Sequence, residues 1–117
     1  MGKYFDYDVA MSYLGGLDGL FRKVASSFIS EYKDFRLRVE DALSKEEASY
    51  ANYMDSKLYA LLHTLKGITL NLGLKRLYDE LLSLLKELKD GKIDKEKIAS
   101  VLETFDASFN ELQAFIS

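Results

Sequence analysis

The chain of 117 residues contains no proline, and its apolar residues recur almost throughout at three- and four-residue steps. Proline removes a backbone donor and clashes with the preceding helical turn. A sequence without it, patterned in this way, predicts long amphipathic helices that each bury one stripe. Nothing in it reads as a strand. The length suits one domain, residues 1–117, with a single core.

Turn and cap residues divide the pattern. A short first helix is expected from Asp8 to Leu14, stopped by Gly15 and Gly16. Asp18 is then placed to cap a long second helix with Leu17, Phe21, Val24, Phe28, Phe35, Val39 and Ala42 on its apolar side. The next start is ambiguous: Ser44 and Glu47 form a capping box, while Asn52 and Asp55 offer later caps. The third long helix runs to Leu72 and ends at Asn71 and Gly73, residues that tolerate a left-handed cap. A fourth spans about Leu74 to Lys89, with Leu77, Leu81, Leu84, Leu85 and Leu88 inward. In "DGKID", Gly91 closes that helix and Asp94 opens the last one, whose apolar set is Ile98, Val101, Leu102, Phe105, Phe109, Leu112 and Ile116. The expected fold is all-α, an antiparallel four-helix bundle with a short additional N-terminal helix at one end.

Composition removes several kinds of chemistry. There is no cysteine, which excludes disulfides, thiolate nucleophiles and zinc sites built on Cys. A net charge of −3 argues against nucleic acid as the main partner, since phosphate binding needs clustered cations. The opening "MGKYFDYDVA" has no apolar signal region and no stretch is long enough to span a bilayer. A cytoplasmic protein with no membrane partner is the expectation. "GGLDG" follows no strand and is no dinucleotide fingerprint, and no nucleophile-elbow motif is present. A helical Glu-x-x-His metal motif is ruled out because Ala60 stands three residues before the histidine.

That histidine, His63, is the only one in the chain. In the third long helix Ala51, Met54, Leu58, Leu61, Leu65, Ile68 and Leu72 follow strict three-four spacing and form the expected core seam. With Leu65 at zero and about 100° per residue, the seam lies within about 60° of one direction and His63 at about 160°. The imidazole is therefore expected to face water. Ser56, Tyr59, Ala60, Gly67 and Leu70 surround it, with Lys66 at the flank. Gly67, mid-helix on an outer face, costs about 1 kcal/mol relative to alanine and has no core-packing reason. With Ala60 one turn before the histidine, it leaves the backbone bare for a close approach. Tyr59 and Leu70 form an apolar rim that a partner could cover, and Lys66 is placed to neutralise an anion carried on His63. Each residue also has a plain alternative: a surface histidine, a solvated lysine, a helix-contact glycine, a rim meeting another element of the same chain. An exposed histidine beside a cation, without a second histidine or a phosphate loop, is suited to be a nucleophile served by another protein's active site.

"HTLKG", followed by Asn71 and Gly73 in "NLG", resembles the signature of the histidine-containing phosphotransfer (HPt) domains of bacterial phosphorelays, and "YLGGLDGLFRKVASSFISEY" resembles their first loop and second helix. The resemblance implies that His63 is the phosphoacceptor, that Lys66 stabilises the phosphoryl charge, and that Gly67 gives a receiver domain access; with the face read above, Tyr59, Ala60, Gly67 and Leu70 are the expected docking residues. It implies a monomeric phosphocarrier of two-component signal transduction without an ATP site rather than an enzyme. Its partners would be response-regulator receiver domains and a hybrid histidine kinase. It has no intrinsic cofactor, and magnesium is expected on the partner receiver. In "ITL" at 68 to 70 the chain is bulkier than the family's usual small residues. The segment from Leu43 to His63 is also longer by about two turns, which predicts a longer helical hairpin there. A second class of function uses the same face: an adaptor that binds a receiver or other partner without transferring phosphate.

Overall fold

The computed structural model describes residues 3–46 and 52–117. Among them the order of elements is α1 (Tyr7–Tyr13), α2 (Asp18–Tyr32), α3 (Phe35–Glu46), α4 (Lys57–Thr69), α5 (Lys75–Lys89) and α6 (Lys95–Ile116), and no strand occurs. Two single 3-10 turns, Tyr53–Asp55 and Leu70–Leu72, flank α4. The molecule measures 44 × 22 × 22 Å. Helix α4 packs against α3 on one side and α5 on the other, α5 against α6, and α6 against α2. No helix among the described residues is long and apolar enough to cross a membrane.

The long second helix of the sequence reading is two helices, interrupted at Lys33 and Asp34. Neither glycine nor proline marks the break, yet one apolar seam continues through it. Phe21, Ala25, Phe28, Tyr32, Phe35, Val39 and Ala42 are all buried, at alternating four- and three-residue steps. Tyr32 bridges the interruption, its ring 4.8 Å from that of Phe28 and 5.3 Å from that of Phe35. Of the apolar set expected for this stretch, Leu17 is exposed and Val24 only partly buried. Asp18 is not the cap. Leu17 occupies that position without a side-chain bond, and the Asp18 carboxylate accepts instead from the Tyr7 hydroxyl at 2.5 Å and from Arg22 Nε at 3.0 Å.

Helix α1 begins at Asp6, whose carboxylate accepts the Asp8 and Val9 amides. The segment before it is tied across the molecule: Glu111 Oε1 accepts the amides of Tyr4 and Phe5 at 3.0 and 3.1 Å, and Asp6 N–H donates to Gly73 O at 2.9 Å. Gly73 ends the 3-10 turn after α4 in the left-handed conformation, φ +71°, as the sequence predicts. It also meets a demand invisible from the sequence, because a Cβ there would lie 2.2 Å from Asp6 O. Helices α5 and α6 start and stop within a residue of expectation. All five inward leucines of α5 are buried, and Asp94 caps α6 by accepting Lys97 N–H at 3.1 Å.

Candidate functional site

Helix α4 is capped at Ser56, one residue past Asp55, the latest of the three caps considered. Ser44 lies inside α3, donating to Asp41 O at 2.9 Å, and its expected partner Glu47 lies outside the described residues. Asn52 caps the 3-10 turn by accepting the Met54 amide at 3.0 Å. The cap of α4 is Ser56, which accepts the Tyr59 amide at 3.0 Å, while Glu46, at the end of α3, accepts the Leu58 amide at 2.9 Å. Ser56 is thus a buried cap, and it still borders the hollow beside His63. The expected longer hairpin falls partly on residues 47–51, outside the described residues.

The core seam of α4 is also shifted. Leu58, Leu65 and Leu72 are buried as expected, but Leu62 and Thr69 are buried in place of Leu61 and Ile68, which are half-buried. Met54, counted in the seam, is 76% exposed because the helix has not yet begun there; Ala51 lies outside the described residues. On a helical wheel the buried direction turns by about 50° toward Leu62, which leaves His63 about 130° and Gly67 about 170° from its centre. Thr69 tolerates burial because its hydroxyl donates to Lys66 O at 2.8 Å.

His63 is exposed. Its ring stacks on Tyr59 with centroids 5.8 Å apart and planes at 23°, and Tyr59 in turn meets Tyr53 at 4.9 Å and 61°. Lys89, from the far end of α5, sits 5.6 Å from the centre of the Tyr53 ring. Tyr53, Met54, Tyr59, Ala60, His63 and Lys89 line a shallow hollow of about 460 Å³. Ala60 also borders a second hollow on the other side of α4, with Arg38 and Lys57. Gly67 is exposed, and a Cβ built on it meets nothing within 4 Å. Lys66 is half-buried and forms no ion pair among the described residues. Leu70 is not brought to the hollow: it belongs to the 3-10 turn that packs against α1.

Sequence reasoning did not find Tyr53, Met54 or Lys89. Only the antiparallel pairing of α4 with α5 brings Lys89 to the start of α4, and no local pattern signals that. One electrostatic signal was present in the sequence: no acidic residue occurs between Asp55 and Asp79, while Lys57, Lys66, Lys75 and Arg76 all fall in that stretch. Lys75 and Arg76 pair with Asp79 and Glu80 at 2.8 and 3.2 Å, while Lys57 and Lys66 of α4 form no ion pair among the described residues. A net-negative chain therefore presents its histidine on a locally positive helix. Comparison with family models, with curated proteins and with solved structures gives no match. Among the described residues no group of acidic or histidine side chains is arranged to hold a metal ion.

Proposed function

We propose that this chain is a phosphocarrier of the histidine-containing phosphotransfer type, with His63 accepting a phosphoryl group from a receiver-domain aspartate and passing it to a second receiver. One observation carries the reading. An exposed imidazole lies one turn from a mid-helix glycine whose missing side chain the protein's own packing does not require. In this reading the α2–α3 rod, α4, α5 and α6 act as the four antiparallel helices of a bundle, with α1 across one end, and the rigid middle of α4 holds the histidine out to a partner.

The chemistry asked of the chain is small. A lone pair on one imidazole nitrogen forms the N–P bond as the aspartyl O–P bond breaks, and the bonding electrons leave on the receiver's carboxylate. The other ring nitrogen can release its proton to solvent. Lys66, one turn away and without an ion pair among the described residues, offsets part of the phosphoryl charge. Magnesium, held by the receiver, would supply the remaining charge compensation. The bare backbone at Ala60 and Gly67 lets the receiver's aspartyl phosphate approach within bonding distance, and the positive character of α4 favours an anionic partner face.

Incubation with phosphorylated receivers tests the proposal. The wild-type chain is expected to acquire an acid-labile, base-stable phosphoryl group, and His63→Gln to acquire none while keeping its helical circular dichroism. Labelling that survives in His63→Gln overturns the assignment. A receiver that binds the wild-type chain but never labels it supports the adaptor instead. Lys66→Ala is expected to slow transfer about tenfold, as loss of one charge-stabilising group does, without altering thermal stability.

A further inference from the structure

Taking His63 as the phosphoacceptor proposed above, we infer that Tyr59 is a positioning residue for it, and that its ring, braced by Tyr53 and Lys89, sets the orientation in which the imidazole reacts. Side chains on a helix lean toward its N-terminus, so the His63 ring falls over the turn that carries Tyr59. The two rings lie nearly parallel, with centroids 5.8 Å apart. The His63 imidazole makes no hydrogen bond among the described residues. The stack is therefore the contact that restrains an otherwise freely turning exposed imidazole.

Tyr59 is itself held at its backbone and at its ring. Its amide donates to the Ser56 cap at 3.0 Å. Tyr53, from the 3-10 turn, meets its ring edge-on, with centroids 4.9 Å apart. Lys89 closes the row from the end of α5, with its ammonium 5.6 Å from the centre of the Tyr53 ring. A residue serving only as an apolar rim for a partner needs no such row. A platform for the imidazole does, because a near-parallel stack occupies one face of the ring and leaves its edge, which carries the nitrogens, uncovered by the tyrosine. Restricting a nucleophile to its reactive orientation raises its rate without changing its chemistry.

The test uses phosphoramidate, a small donor with no docking surface. An imidazole nitrogen forms its bond to phosphorus as the donor's P–N bond breaks, and the nitrogen leaves as ammonium, taking up the proton that the imidazole releases. With one histidine in the chain, its ring-proton NMR signals are unambiguous. Tyr59→Leu is expected to move those signals toward those of a freely solvated histidine and to slow phosphorylation by phosphoramidate about threefold to tenfold. Tyr59→Phe, which keeps the ring, is expected to stay within about twofold of the wild type. Tyr53→Leu should slow the reaction less, in the same direction. Equal rates for Tyr59→Leu and Tyr59→Phe, or ring signals that do not move, overturn the inference even where receivers still label His63. Receivers that fail to label His63 defeat the phosphocarrier reading, and the small-donor comparison still decides the role of Tyr59. If Tyr59→Leu loses its helical circular dichroism, Tyr53→Leu decides, and unchanged signals and rate in it overturn the inference.

Discussion

Gly67 and Gly73 stand in one continuous stretch of sequence, and each would pass for a helix-weakening residue. Their surroundings differ completely. Gly73 has φ +71°, and a Cβ on it would strike the Asp6 carbonyl oxygen; the residue is sealed beneath the chain's own first segment. Gly67 has ordinary helical backbone, is exposed, and would accept a Cβ into open space. Folding explains the first glycine and gives no account of the second. Under the proposed function that openness serves a partner, since Gly67 weakens the helix with no return in packing and lies one turn from the chain's single histidine.

Substitution at the two positions should separate those causes. Gly73→Ala is expected to destabilise the protein by about 3 kcal/mol or more, combining left-handed strain with a backbone collision. The melting temperature should fall by about 10 °C, and a variant that melts within a degree or two of the wild type would show that α1 is not seated there. Gly67→Ala should act in the opposite sense and raise stability by up to about 1 kcal/mol. Gly67→Gln should fold normally and block transfer from receivers. If both Gly67 variants transfer phosphate at the wild-type rate, the open glycine has no docking purpose. The smallest effect concerns the contact between α1 and α2. The Tyr7 hydroxyl bond, and after it Arg22, hold the Asp18 carboxyl below its ordinary pKa. A folded-state pKa below the unfolded one contributes stability above the unfolded value that is lost as pH falls through the folded one. Urea midpoints followed through the acid range should therefore decline less steeply in Asp18→Asn than in the wild type; parallel curves would mean that Tyr7 does not engage Asp18.

The same contrast explains what could be read in advance. Gly73, Gly91 and Asp94 announce their positions through local turn and cap chemistry, so the close of the 3-10 turn after α4, the end of α5 and the start of α6 were legible. The outward orientation of His63 survived an error in the seam because the histidine lies so far from either version of it. The error came from adjacent leucines: with Leu61 and Leu62 side by side, spacing alone cannot tell which faces α5, and a buried Thr69 carries no apolar signal. The break at Lys33 and Asp34 was invisible for a related reason, since the apolar steps run through it undisturbed. Tyr59 was read as rim because its partners, Tyr53 and Lys89, come from a turn and a helix end that only the packed structure brings together. Leu70 was assigned to the same face by angle, but α4 gives way to a 3-10 turn at that residue and the angular count no longer applies.

The anchoring of the first segment has a practical corollary. Tyr4 and Phe5 are held by Glu111 near the close of α6, and Arg76, at the start of α5, lies 4.7 Å from the Tyr4 ring centre. Tyr4 and Phe5 consequently lie with the close of α6 at the start of α5, whereas Tyr53 and Lys89 meet at the other end of α5. A surface tether or fused neighbour attached at either extremity would keep clear of the hollow beside His63, so immobilised protein should present its histidine to an incoming partner whichever extremity is used.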